Sequence, residues 1–387
     1  MRWFCRPTRA QRQDDARPRR ARTSIVAAVV VVAAGAAGCA PFGGGGTFGG
    51  GGSARIPTSR VGFSTSGMFL WESDAQLRAD LDAIVSTGAT WIRLPFDWNS
   101  VQPNGPGSYN WTYEDRVVSA ARARGLQVLG LAAYTPPWAR PSSAACPSQT
   151  QYCPPANPTA YATFVGAAAA RYAPQGVHTW EIWNEPNWDP WWASAGGPNA
   201  AAYVALLKPA YVALHGADPR AFVVTGGLAP HGDLGSNPTD PRHPVNFLQA
   251  MYAAGAKGYF DAVGHHPYPP LPYAPMSGKI GWNALLYTQT IHDVMTANGD
   301  GAKQIWGTEW GAPTGTSSMS VGASTQAQYV MSEYQQWATY PYVGPLFVHE
   351  IRDESTDTSS WSENLGLERL NGAPKPALLA LRYVMKG

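Results

Sequence analysis

Thr179-Trp180-Glu181-Ile182-Trp183-Asn184-Glu185-Pro186-Asn187 reads as a buried strand that runs straight into a polar turn, aromatic and β-branched up to Trp183 and then broken by Asn, Glu and Pro. The strand is predicted over 177–184. A second stretch, Gln304-Ile305-Trp306-Gly307-Thr308-Glu309-Trp310-Gly311, has the same form, with a strand over 304–308 and an acid at its carboxyl end. Outward from these two lie further short runs of the same kind at 60–63, 90–95, 127–132, 222–226, 260–265 and 343–349, which makes eight strand candidates. Helix-period segments fall between them. Ser73-Asp74-Ala75-Gln76 is a capping-box start, followed by Leu77, Leu81, Ile84 and Val85 on one face and ended by Gly88. Asn157-Pro158 opens a helix with Tyr161, Phe164, Val165, Ala168 and Tyr172 along one side. Later helices are expected over 200–215, kinked at Pro209, and over 245–254, 283–298, 324–337 and 375–385. Strands alternating with helices along the whole length give an α/β chain with a parallel sheet, and eight of them give a single (β/α)8 TIM barrel with enlarged loops. A doubly wound open sheet is the alternative, but no Gly-rich phosphate loop opens a helix early in the chain.

Hydrophobic residues are 44% of the 387 and charged residues 14%. That balance buries a large core and excludes a disordered chain or a nucleic-acid-binding tail, both of which need more charge. Residues 1–38 hold eight Arg and two Asp, so the remainder carries 20 basic against 24 acidic residues. A net charge of −4 over the folded part disfavours a polyanionic partner such as nucleic acid. Sixteen Trp and eighteen Tyr exceed the needs of a core, and flat amphipathic rings suit sugar faces.

An Arg-rich head precedes an apolar run of fourteen residues, 25–38, which is shorter than the ~18 needed to span a bilayer. It reads as a signal peptide. Small residues before Cys39 resemble the lipobox of bacterial lipoproteins, with Ala36 where Leu is usual, so lipidation at Cys39 and a cell-surface lipoprotein are expected, ordinary secretion being the alternative. Residues 1–39 are thus the signal segment, 40–54 a Gly-rich tether, and 55–387 the catalytic barrel. Cys146 and Cys153 are the one pair left in the folded part, with six residues between them in a Pro/Ser/Gln-rich loop, which predicts a local disulfide formed after export. Without His nearby they do not suggest zinc, and no metal or organic cofactor is expected.

In such a barrel the carboxyl ends of strands face the active site. Glu185 and Glu309, 124 positions apart, end the fourth and seventh strands. Retaining hydrolysis of a glycoside needs an acid to protonate the leaving oxygen and a carboxylate ~5–5.5 Å away to attack the anomeric carbon, and two acids across a barrel mouth meet that need. Trp138, Trp188, Trp191-Trp192 and Trp310 are candidate sugar platforms. Ordinary loop packing is the rival reading of each.

Trp183-Asn184-Glu185-Pro186 and Thr308-Glu309-Trp310-Gly311, with Trp91-Ile92-Arg93, Trp98, Gln102-Pro103, Tyr134-Thr135-Pro136-Pro137-Trp138, His266-Pro267-Tyr268 and the tail Glu363-Asn364-Leu365-Gly366-Leu367, resemble clan A glycoside hydrolases. The chain is most similar to the family 39 and family 5 type, including bacterial enzymes that cut exopolysaccharides, over residues 58–385. The resemblance implies a retaining β-glycosidase acting on a glycan, with Glu185 as general acid/base and Glu309 as nucleophile. It also implies that Arg93 and Tyr268 keep Glu309 ionised, that Asn184 meets the sugar 2-hydroxyl, and that His266 supports the floor. Arg93 paired with Asp97 is the alternative for that residue. Many members end the eighth strand with a Trp, whereas here Val348-His349-Glu350 stands, so either His349 or Trp361 must serve the reacting sugar. Glu350 and Asp353 are further rim acids, read as partners of Arg352 or as sugar ligands. A non-catalytic carbohydrate-binding protein on the same barrel is the rival function, and a monomer is the default state.

Overall fold

The computed structural model describes residues 57–231, 237–268, 285 and 287–386. The expected signal segment, Cys39 and the Gly-rich tether lie outside the described residues. Eight parallel strands close on themselves in sequence order: β1 (Val61–Ser64), β2 (Trp91–Asp97), β3 (Gln127–Ala133), β4 (Thr179–Ile182), β5 (Phe222–Thr225), β6 (Ala262–His265), β7 (Gln304–Trp310) and β8 (Val343–Val348). Around them run α1 (Asp74–Ser86), α2 (Trp98–Val101), α3 (Thr112–Arg122), α4 (Pro158–Tyr172), α5 (Ala200–Ala217), α6 (Pro244–Ala253), α7 (Tyr287–Ala297), α8 (Ala323–Thr339) and α9 (Pro376–Lys386). The expected (β/α)8 barrel is what forms.

Local chemistry sets the helix starts. Ser73 Oγ accepts from Gln76 N, Asn157 Oδ1 from Thr159 N and Asn199 Oδ1 from Ala202 N, each cap contributing about 1 kcal/mol. Pro209 lies inside α5, which continues past it to Ala217. The sequence reading missed α3. Its N-cap residue Trp111 makes no side-chain cap bond, and its buried face includes Glu114 among the apolar residues, so neither the start signal nor the period is clear.

Tyrosines fasten the helical layer to the sheet. Tyr161 of α4 donates to Ala132 O (2.6 Å), Tyr203 of α5 to Ile182 O (2.8 Å) and Tyr334 of α8 to Leu346 O (2.9 Å). Inside the barrel, Trp91, Leu129, Val224, Ala262, Trp306 and Phe347 form a separate apolar cluster, in which the Trp91 and Trp306 rings meet edge-on at 5.3 Å. Gly62 is required there, since a Cβ would stand 2.5 Å from the Phe347 ring.

Two departures from the expected strands shape the site. β4 ends at Ile182 because Trp183 adopts φ 70° and Glu185 φ 45°, a left-handed backbone that a strand cannot hold. β7 instead runs on to Trp310, with a register irregularity: Gly307 pairs with Leu346 but Trp310 pairs with Val348, so three steps on one strand match two on the other. A bulge of this kind re-aims side chains.

Candidate active site

Strand alternation puts Arg93 two residues beyond Trp91, inside the barrel, where its guanidinium joins four strands. Nε donates to Glu181 Oε2 (2.5 Å) and NH2 to Glu181 Oε1 (3.2 Å) and Asn184 Oδ1 (2.6 Å). NH1 donates to Ser64 Oγ and Glu309 Oε2, both at 3.1 Å. The alternative pairing with Asp97 does not form; Asp97 accepts from Asn99 N and Ser100 N and caps α2. Burial pushes the Asp97 carboxyl up to about 7, against those capping bonds. Glu181, which the sequence reading passed over as one more strand residue, is wholly buried and accepts additionally from Gly227 N (2.8 Å) and Thr308 Oγ1 (3.0 Å).

Glu185 follows on the strained turn after β4. Its N–H donates to Gly227 O, and His266 Nδ1 lies 2.8 Å from its Oε1. Two glycines make room for this turn. A Cβ at Gly226 would stand 2.7 Å from Trp183 O, and one at Gly227 only 2.2 Å from His266 Nε2 and 2.4 Å from Thr308 Oγ1. Glu309 sits in the β7 bulge. Because of that bulge both Thr308 and Glu309 reach the interior, and Tyr268 OH donates to Glu309 Oε1 at 2.6 Å. His266 and Tyr268, on one short segment after β6, thus touch the two glutamates separately.

The electrostatics of the pair are opposite in direction. Burial, then the Glu309 charge, push Glu185 well above the usual carboxylate range, and Arg93 only partly offsets them. Burial acts on Glu309 in the same sense, but His266, His349, Arg93 and the Tyr268 hydrogen bond bring it down to about 2. Burial lowers His266 to about 3, so near neutral pH its ring is uncharged and adds nothing to that lowering; the direct contacts that keep Glu309 ionised there are those from Arg93 NH1 and Tyr268 OH. One protonated acid and one carboxylate therefore share the barrel mouth, an arrangement suited to general acid catalysis beside a nucleophile. Asn184, with its oxygen held by Arg93, has its amide NH2 as the group to offer a substrate oxygen. Among the described residues no group of three or more His, Cys, Asp or Glu is placed to hold a metal ion.

The aromatic expectations divide. His349 acts on Glu309 and is half-buried at the end of β8, so it, rather than the exposed Trp361, stands beside Glu309. Trp138 is half-buried and donates to Gln102 O (2.7 Å), and Trp188 is half-buried after the turn that carries Glu185. Trp191 joins Tyr134 and Tyr152 in a ring cluster, and Tyr134, unassigned from sequence, interacts with both Arg93 and Glu309. Trp310 corrects the expectation: it is 0% exposed and belongs to the core, because the bulge that brings Glu309 inward turns its neighbour outward into the helical layer. Trp192 is likewise core. Cys146 and Cys153 are disulfide-bonded as expected. Arg352 pairs with Asp80 and Glu368, and Asp353 with Lys375, so the expected pairing of Arg352 with Glu350 and Asp353 does not form.

The family model of Cellulase (glycosyl hydrolase family 5) matches residues 53–344. Among solved structures, a family 39 glycoside hydrolase from the gut symbiont Bacteroides cellulosilyticus WH2 aligns with 86% of this chain and 64% of its own, at 22% identity and TM-score 0.65. A monomeric beta-xylosidase from Caulobacter crescentus CB15 aligns with 86% of this chain and 69% of its own, at 19% identity and TM-score 0.63. A family 5 subfamily 18 protein from Bifidobacterium longum subsp. infantis gives 86%, 79%, 17% and 0.63 in the same order. At these identities the likeness establishes the fold, and the chain spans 64% of the length of the first of these structures. No curated protein sequence matches this chain.

Proposed function

The chain belongs to the Cellulase family of glycosyl hydrolases, family 5, and from that premise we propose that it is a retaining β-glycosidase that hydrolyses an oligo- or polysaccharide through a glycosyl ester on Glu309. The observation that carries the reading is the pair of glutamates driven to opposite protonation states, joined through His266 and Tyr268 on one segment. Glu185 gives its proton to the glycosidic oxygen as the bond from that oxygen to the anomeric carbon breaks, and Glu309 forms the ester to that carbon. The ester removes the Glu309 charge, which lowers the proton affinity of Glu185. Glu185 then takes a proton from water, whose oxygen attacks the anomeric carbon and releases Glu309. Asn184 donates to the 2-hydroxyl, a bond that strengthens as positive charge develops on the ring.

Incubation with a 2-fluoro β-glycoside bearing a good leaving group tests this directly. The expected result is a mass increase on the peptide containing Glu309, with Glu309→Ala and Glu185→Ala each lowering turnover of aryl β-glycosides by orders of magnitude. Normal turnover by either variant rejects the assignment, and binding without labelling or turnover favours a carbohydrate-binding protein. The same proposal places the protein outside the cytoplasm, anchored through Cys39; the mass of the mature amino terminus checks it.

A further inference from the structure

At the carboxyl end of the barrel, a cavity of about 130 Å³ opens between the exits of β1 and β8, walled by Ser66, Met68, Glu72, Glu350, Arg352 and Glu354 among others. At ~30 Å³ per water it has room for an ammonium group and the carbons next to it. Glu350 is 2% exposed, and its Oε1 has no hydrogen-bond partner. Glu72 likewise has Oε2 without a partner. Arg352, in the wall, and Arg116 both act on Glu72, but the ion pairs of the nearby cations are with other carboxylates. Arg352 Nε donates to Asp80 (2.7 Å) and NH2 meets Glu368 (3.1 Å), Lys375 Nζ meets Asp353 (2.6 Å), and Arg116 NH1 meets Asp74 (3.0 Å). The cavity therefore has an excess of carboxyl groups, and a buried carboxylate without a cation is costly.

Protons relieve that cost in the empty cavity: burial raises Glu72 to about 8 and Glu350 well above the carboxylate range. A cation from outside would relieve it as well. Met68 and Leu370, 43% and 42% exposed, add apolar walls suited to the hydrocarbon beside a charged nitrogen. In the chain, Glu350 directly follows His349, and Ser66 lies two residues beyond Ser64, which accepts from Arg93. A bare divalent metal fits less well, because no three His, Cys, Asp or Glu converge to ligate one among the described residues.

We propose that this cavity receives the ammonium group of an amino sugar of the bound glycan, so that the substrate is a β-glycan with unacetylated amino sugars. The placement of the sugar chain rests on the glycosidase reading; the cation site does not. The test is a tryptophan-fluorescence titration of the full chain, at low temperature, with the β-1,4-linked trisaccharides of glucosamine, N-acetylglucosamine and glucose, which differ only at C2. The glucosamine trimer is expected to bind at least about tenfold tighter than the other two. Glu350→Gln should bring all three within about threefold. Met68→Lys, which places a tethered ammonium at the exposed rim, should remove the preference in the same way and serves if the first variant does not fold. Equal binding of the three trimers, or a preference that survives both substitutions, overturns the proposal. Ammonium preference without labelling of Glu309 sinks the glycosidase reading and leaves the cation site, whereas labelling without the preference does the reverse.

Discussion

Trp91 and Arg93 stand two residues apart on β2 and enter the same barrel, yet they belong to layers that work by different physics. Around Trp91 the interior is hydrocarbon, with Trp306 and Phe347 packed against it from across the barrel. Around Arg93 it is a hydrogen-bonded set of Ser64, Glu181, Asn184 and Glu309. The lower layer holds by buried area, which is non-directional. The upper layer holds only while every member has its partner, because each charge is removed from water. Stability comes from the first and geometry from the second.

That contrast breaks most visibly if Arg93 is replaced. Arg93→Met leaves Glu181 and Glu309 without their cation, so turnover of an aryl β-glycoside should fall by ~10³ or more, and urea unfolding should show a loss of about 3–5 kcal/mol. Trp306→Ala, one layer down, is expected to cost a similar ~3–5 kcal/mol and, measured well below the melting temperature, to leave kcat/KM nearly unchanged. Equal damage to activity from both would dissolve the distinction between the layers. A sharper probe sits between the glutamates. Gly227→Ala pushes a methyl toward His266 and Thr308, and about 1–3 kcal/mol of stability should go together with a fall in kcat as Glu185 loses its orientation.

The smallest effect expected is on pH dependence. Asp97, raised to about 7, and Glu114, raised to about 8, keep protons in the folded chain that the unfolded chain releases near pH 4. Stability contributed by these groups is therefore full below about pH 4 and falls as pH rises toward 8. Glu309, lowered to about 2, acts in the opposite sense, its contribution being present above about pH 4.5 and lost as pH falls through 2. Melting temperatures between pH 5 and pH 8 should decline, and Asp97→Asn should flatten the decline. Glu333, wholly buried in α8 with neither oxygen partnered, should make Glu333→Gln neutral or stabilising at pH 8 in the same experiment.

Much of the site was legible because its residues stand at strand ends within short, chemically unusual strings. Glu185 follows Trp183-Asn184, and Glu309 follows an apolar strand, so both acids could be placed from local sequence alone. Glu181 was not legible in the same string, since nothing local distinguishes an acid that faces a guanidinium from one that faces water. Trp310 was misplaced because the strand was expected to end at 308, which put Trp310 in a loop; β7 runs on to Trp310, and alternation then turns it to the face opposite Glu309. α3 escaped notice because its capping signal is weak and an acid interrupts its buried face.

What the chain determined by itself is the order and type of its elements, since period, caps and strand-breaking residues act over a few neighbours and suffice to specify eight strand–helix units. The closure of those strands decided the rest. Which acid keeps its proton, which aromatic meets solvent and which cation answers which carboxylate depend on groups dozens to hundreds of residues apart brought within hydrogen-bond distance, and such energies exist only after folding has excluded water from between them.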